Sequence, residues 1–376
     1  MASQKIGING AGIGGLAAAI ALRKLGKDVV VFEQASRFAR VGADINLTPN
    51  AVRALDGLGV GEALRETAAR PSHRISRVWN TGEETSRLAM SDEAQIRYGA
   101  PQLTMHRGDL MTALEAALPA ACVKLGKKAT RIERHAAGAT LHFADGTQED
   151  VDVLIGADGI HSAVRTALFG PEHPVFTGVV AYRAVVPAER LAGVPNLQAF
   201  TKWWGPEATS QIVTFPLNRG REIFIFATVA QEAWRNESWT TPGRVEDVRA
   251  AYAGFHAEAR ALLDACDDVL ISALYVRDPL PAWSAGNVVL MGDACHPMMP
   301  FMAQGAGMAI EDGVVLARCL AEANGDDIPS ALARYRAARF ERTSRIQIGS
   351  RSNAWLKEGG NADWVYDYNA WQVALG

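Results

Sequence analysis

At 376 residues and 48% apolar, the chain has enough hydrophobic material for a large core or several domains, which excludes a disordered protein. Its formal charge of -3 comes without a lysine- and arginine-rich stripe, so small molecules are expected as partners rather than nucleic acid. The scattered cysteines Cys122, Cys266, Cys295 and Cys319 suggest neither a zinc site nor a disulfide framework. No apolar run reaches the roughly 18 residues of a membrane span, and no signal peptide fits ahead of the first strand, so a soluble cytoplasmic protein, monomer or homodimer, is expected.

In chain order, KIGING reads as a strand, and GAGIGGLAAAIALRKLG sets small and aliphatic residues at helical spacing before closing at Gly26. DVVVFEQ follows as an apolar strand with an acid at its end, which completes a βαβ opening of a parallel sheet. Gly10, Gly12 and Gly15 form GxGxxG, with Ile13 and Gly14 inside it. Gly10 allows the tight turn, Gly12 lets a pyrophosphate approach the backbone, and Gly15 lets helix and strand pack closely. The helix N-terminus offers unpaired N–H groups to phosphate, and Glu33 is placed to accept hydrogen bonds from an adenosine ribose. Gln34 follows instead of a basic residue, which disfavours NADP here and leaves FAD and NAD open.

VDVLIGADG at 151–159 and NVVLMGDAC at 287–295 read as further strands of the same sheet, each ending in glycine and aspartate. Between them, from about Thr177 to Arg277, runs such as VVAYRAVV, SQIVTFPL and EIFIFATVA read as antiparallel strands of an inserted layer. After Gly305 the pattern is helical, first AGMAIEDGVVLARCLAEA and then an arginine-rich amphipathic segment, PSALARYRAARFERTSRIQIGSRSNAWL. Asp158, in GADGIHSAVR, is either a ligand-facing acid or the cap of a helix starting near Ser162. In GDACHPMMPFMAQGAG, His296 either orients substrate and relays a proton or satisfies local backbone groups, and Cys295 is a buried small residue. No acid-rich or histidine-rich cluster suggests a metal.

In order and over nearly the whole chain, GAGIGG at 10–15, GADGIHSAVR at 156–165 and GDACHPMMPFMAQGAG at 292–307 resemble the fingerprints of the FAD-dependent aromatic hydroxylases. These are single-component flavoprotein monooxygenases with a fold like that of p-hydroxybenzoate hydroxylase. The resemblance implies an α/β fold: a Rossmann-like FAD-binding sheet, an inserted antiparallel β substrate layer and C-terminal helices. It divides the chain into FAD-binding segments 1–72, 104–176 and 278–325, substrate-layer segments 73–103 and 177–277, and a helical segment 326–376.

The same resemblance implies roles. Gly10 to Gly15, with Glu33 and Gln34, would hold the ADP half of FAD, Ala129 would offer backbone to the adenine, and Arg107 would reach the phosphate or ribityl region. Arg40 would lie in the loop under the isoalloxazine, Asp158 would serve the pyrophosphate and a transient NADH or NADPH, and Gly292 and Asp293 the ribityl chain. Pro300, Gly305, Ala306, Gly307 and Met308 would bring a helix N-terminus to the reduced ring, worth roughly 0.3 to 2 kcal/mol from the dipole. Met298, Met299, Phe301 and Met302 would form an apolar wall, although each alone fits ordinary core filling equally well. Asn46, Gln211, Phe215, His296 and Pro300 would surround the substrate.

The implied reaction is hydroxylation, dependent on NAD(P)H and O2, of a small aromatic or N-heteroaromatic acid or phenol. The third fingerprint is most similar to the branch of 6-hydroxynicotinate 3-monooxygenases and, more loosely, salicylate hydroxylases, in which the ring carboxylate leaves as CO2. This chain departs from that branch at Asn46, where a histidine is expected, at Asp44, where glycine is usual, and at Gln211 and Phe215, where histidine and tyrosine are expected. An FAD oxidase or dehydrogenase, and an FAD-binding protein without oxygenation, remain open on the same scaffold.

Overall fold

The structure, a computed structural model, describes residues 4–38, 44–234, 238, 240–323 and 325–375. Apolar runs with little polar interruption must be covered on both faces, and they form the central sheet. Its strands run in the order Ser284–Ala285, Val288–Leu290, Val153–Gly156, Lys5–Asn9, Asp28–Phe32 and Val123–Lys124. All neighbours are parallel except the first two. The two distant segments ending in glycine and aspartate therefore join the N-terminal strands, as expected, and bring their loops to one sheet edge.

The helix Ile13–Lys24 is a stripe of small residues buried between this sheet and the helix Gly305–Ala321. It ends as its sequence indicates: Gly26, at φ +79°, is left-handed, and the Lys27 N–H donates to the Leu22 carbonyl. A separate meander of Ala129–His135, Gly138–Phe143 and Gln148–Val151 was not anticipated, because its two outer strands are largely exposed and strongly charged.

The alternating runs form an eight-stranded sheet in the order Thr241–Gly243, Val269–Val276, Val175–Pro187, Glu222–Ala230, Gln211–Leu217, Phe200–Trp204, His73–Val78 and Glu84–Ala89. Alternation gives it two faces. Val180, Tyr182, Ile212, Ile223 and Ile225 pack under the helices Val245–Ala251 and Ala257–Asp264. The opposite face carries Val179, Ala181, Phe200, Val213, Phe215, Phe224 and Phe226, and meets Met299 and Phe301 from the fingerprint loop. A short ribbon, Ile45–Leu47 with Leu103–Met105, ties the halves together, the Thr104 hydroxyl donating to the Pro216 carbonyl at 2.6 Å.

The last long helix spans Ile328–Gly349 and stops short of the expected end at Leu356; a 3-10 turn, Ser350–Ser352, and left-handed Asn353 redirect the chain. Its arginines do not all form a solvated face, since Arg339 is fully buried.

Candidate active site

The glycine motif performs three physical tasks. Gly10 sits at φ +108°, and a Cβ there would lie 2.5 Å from the Ala157 carbonyl; one at Gly15 would lie 2.0 Å from the Gly10 carbonyl. A Cβ at Gly12 would meet nothing within 4 Å, so space remains directly in front of the helix N-terminus, where a pyrophosphate fits. Ile13 starts the helix and is buried, and Gly14 faces Ala309 of the helix behind it. Glu33 accepts from the Ala11 and Ala35 N–H groups, both at 2.8 Å, which aims its half-exposed carboxylate beside the turn. Gln34 is exposed next to it, and Ala129 opens the first strand of the meander.

Asp158 takes the capping option. Its carboxylate accepts from Asn9 Nδ2 at 2.9 Å, the Ala163 N–H at 2.8 Å, the Val164 N–H at 3.2 Å and the Ser162 hydroxyl at 2.5 Å. With that many donors the side chain anchors the loop, and it is the loop backbone that packs against Gly10. Arg165, the last residue of this fingerprint, donates to the Cys295 carbonyl at 3.2 Å and so clasps the second fingerprint to the third.

Arg107 heads the helix Arg107–Ala116 and interacts electrostatically with both Asp293 and Asp44. Asp293 is solvent-accessible, and desolvation by the atoms packed around it raises its carboxyl above the usual range against the opposing charges of His296 and Arg107. Burial pushes the Asp44 carboxyl up to about 6, with Arg183, Arg107 and His106 opposing the rise. Arg40 falls outside the described residues. Gly305 and Ala306, half-buried, begin the seventeen-residue helix, whose first turn holds no acid to compete for its N–H groups. Gly307 and Met308 lie buried behind them, and Gly292, at φ +57°, turns the chain from strand to loop.

His296, the histidine of the third fingerprint, has one side-chain hydrogen-bond partner among the described residues. Its ring is 2% exposed, packs 5.5 Å from Trp283, and shares a 2.6 Å hydrogen bond through Nε2 with Asp312. Its Nδ1 is buried and has no hydrogen-bond partner, and none of these contacts is with the substrate sheet. Asp312 also accepts from the Gly292 N–H at 3.0 Å and from Arg339 Nε at 2.8 Å. Burial would raise the Asp312 carboxyl, but His296 and Arg339 outweigh it and hold the group at about 2.

Next to it, Glu311 pairs with Arg339 at 2.6 Å and Arg342 at 2.9 Å and accepts from Asn50 at 2.7 Å. Asn50 reaches Gln304, which donates to the Thr48 hydroxyl at 2.8 Å. This network fixes the N-terminus of the helix at 305 to the LTPN turn and the C-terminal helix. Sequence reading missed it, although one signal was there: two adjacent acids inside the apolar run AGMAIEDGVVLARCLA, too costly to bury without cations.

On the substrate side, Phe215 stacks on Phe200 with ring centres 5.5 Å apart and meets Phe224 at 4.9 Å, within the cluster that holds Met299 and Phe301. Gln211 alternates onto the same face; it is 1% exposed, and its Oε1 has no partner. Asn46 is buried on the ribbon, accepts from Gln102 Nε2 at 2.7 Å, and leaves its own Nδ2 without a partner. Pro300 is exposed and opens the 3-10 turn Pro300–Met302. Thus Gln211 and Phe215 share a sheet face that meets the loop at 299–301, Asn46 lies on the ribbon beside that sheet, and His296 packs on Trp283 of the central core.

The profile of the FAD binding domain family matches residues 3–347. The chain belongs to that family. This flavin monooxygenase family member is 41% identical to the 6-hydroxynicotinate 3-monooxygenase of Pseudomonas fluorescens, over 99% of the chain and 97% of the relative. It is 35% identical to the salicylate hydroxylase of Pseudomonas putida, over 94% and 86%. Among solved structures, Klebsiella pneumoniae HpxO complexed with FAD and uric acid superposes with a TM-score of 0.82 at 28% identity, covering 96% of this chain and 90% of that one. FAD is therefore the cofactor, and the glycine turn, Glu33, Arg107, Asp293 and the helix at 305 fit its parts by charge and by the space they leave. No helix among the described residues is long and apolar enough to cross a membrane.

Proposed function

We propose that this protein hydroxylates a small aromatic or N-heteroaromatic acid or phenol with NAD(P)H and O2, in the reducing cytoplasm that its free, buried cysteines suit. The observation that carries the reading is one cleft edge shared by two unlike surfaces: the Arg107, Asp293 and Gly305 group of a dinucleotide site, and an aromatic sheet face with unpartnered amides. Bound FAD supplies the redox chemistry and the activation of O2. The chain's own residues bind, orient and exclude water.

The glycine turn and Glu33 would hold the dinucleotide end, and Arg107 and Asp293 would hold the middle. The unpaired N–H groups at Gly305 to Gly307 would favour negative charge on a bound flavin. Phe215, Phe200, Met299 and Phe301 form a dry wall. Gln211 Oε1 accepts from a ring N–H or hydroxyl, and Asn46 Nδ2 donates to the substrate. Both amides are neutral, so they orient the ring without taking a proton from it. The FAD-binding segments 1–72, 104–176 and 278–325 and the substrate segments 73–103 and 177–277 work as two layers on this reading.

Anaerobic rapid-mixing reduction by NADH and NADPH, with and without hydroxypyridine carboxylates and salicylate-like acids, tests it. A ring acid should accelerate flavin reduction, and admitting O2 should yield hydroxylated ring. Peroxide alone with every acid would sink the proposal.

A further inference from the structure

The amides and rings at the substrate face leave an acidic ring substituent without a counter-charge, yet the same sheet face holds two buried cations. On the strand Phe200–Trp204, Lys202 shares its face with Phe200 and Trp204; on the adjacent parallel strand, Arg74 is opposite Phe200. Lys202 is 2% exposed and Arg74 4%. Lys202 Nζ lies 3.7 Å from the ring centre of Trp204 and 5.6 Å from that of Phe301, in the 3-10 turn Pro300–Met302. The Arg74 guanidinium covers the Phe200 ring at 4.8 Å, beside Tyr366, and its Nη1 has no partner. Phe200 in turn stacks on Phe215, so both cations border the proposed ring pocket.

Among the described residues, neither cation has a carboxylate within 4.0 Å. A buried ion costs several kcal/mol unless paired, and two like charges side by side add to that cost. Burial, and then the charges of Arg74 and Lys357, push the Lys202 ammonium well below the usual lysine range. Among the described residues the other buried arginines are matched: Arg339 sits between two acids, and Arg165 and Arg277 meet Glu172. Lys202 is instead held in place by a neutral strap. Left-handed Asn353, 5% exposed, accepts from Lys202 Nζ at 2.5 Å and donates to the Ala208 carbonyl at 2.6 Å. An amide fixes the position of the ammonium and leaves its charge for another group.

We propose that Lys202, backed by Arg74, binds the carboxylate of an aromatic acid substrate, which makes these two residues the determinants of acid over neutral rings. The proposal rests on the ring-hydroxylation reading above. An ammonium and a guanidinium suit a planar carboxylate through charge-assisted hydrogen bonds, and the flat faces of Trp204 and Phe301 flank an aryl group attached to it. Gln211, paired with Trp204 across the ladder, is then left for a second substituent of the same ring.

The test uses FAD-loaded protein and matched ligand pairs, hydroxybenzoates with hydroxybenzamides and nicotinate with nicotinamide, titrated by the perturbation of the visible flavin spectrum. Wild type should bind an acid at least about tenfold more tightly than its amide. K202M and R74M should lose that preference while binding FAD and the amides as before, and K202R should retain most of it. K202Q, which can still donate to Asn353, serves if K202M does not fold, and should also lose the preference. Wild type binding no acid more tightly than its amide would overturn the proposal, as would an undiminished preference in the variants, even if they are less stable. Acid preference through Lys202 without any ring product in turnover assays would instead refute the hydroxylation reading and leave this assignment standing.

Discussion

The flavin side of the cleft and the substrate side are built from different materials. The flavin side is largely backbone: tight glycine turns, helix N-termini, and acids that cap or aim the loops. The substrate side is largely side chains on an antiparallel sheet: stacked phenylalanines, amides with unpartnered atoms, and buried cations. Backbone geometry tolerates few residue types and serves one cofactor. Side chains on a sheet face can change singly without moving the ladder, so the chemistry of the second substrate can differ between relatives that share the first half of the site.

This contrast can be broken most severely through the network beneath the flavin side. Arg339→Met leaves Glu311 and Asp312 buried without their shared cation, and should cost about 3–5 kcal/mol in denaturant unfolding. The same variant tests the pH account. Asp312 has a folded value near 2, below its ordinary 3.8, so its stabilisation is present above about pH 4 and lost as pH falls through the folded value. Without Arg339 the carboxyl rises, and the acid-unfolding midpoint should move to higher pH.

Gly15→Val addresses the backbone half directly, since its side chain would start 2.0 Å from the Gly10 carbonyl. FAD affinity should fall by more than about a hundredfold, roughly 3 kcal/mol, with the protein isolated free of flavin absorbance and the substrate sheet intact by circular dichroism.

Asp44→Asn tests the rim between the halves. The Asp44 value is raised to about 6 from 3.8, so the folded state favours its protonated form, and that contribution is lost as pH rises through 6. The variant should therefore match wild type in stability near pH 4 and exceed it by roughly 1–3 kcal/mol near pH 8, read by thermal unfolding. Gln211→Ala should have the smallest effect, weakening ring-ligand binding by about 0.5–1.5 kcal/mol while leaving FAD affinity unchanged.

The same division decides what the sequence revealed. The turn at Gly10, the close packing at Gly15 and the capping by Asp158 were legible because few residue types can occupy a left-handed turn, a tight backbone contact or a strand-end cap. The parallel order of the distant strands was legible for a related reason, since apolar runs without alternation need cover on both faces. The bond from His296 to Asp312 was not legible because Asp312 lies sixteen residues on and about two helix turns inside, a contact that only tertiary packing creates. Lys202 and Arg74 escaped notice because strand parity shows which residues share a face, and not which strands are neighbours; their parallel pairing joins segments far apart in the chain. Gln211 and Phe215 were named by resemblance, and the structure adds that their side chains share one face.

The central claim is that this two-sided cleft transfers one oxygen atom from O2 to an aromatic ring. Turnover with isotopically labelled dioxygen, NADH and an aromatic acid, followed by mass spectrometry of the ring product, tests it most directly. The account predicts one labelled oxygen in the ring product, with NADH consumed in equal amount. Unmodified ring with all the label in peroxide, or a hydroxyl oxygen drawn from water, would contradict it.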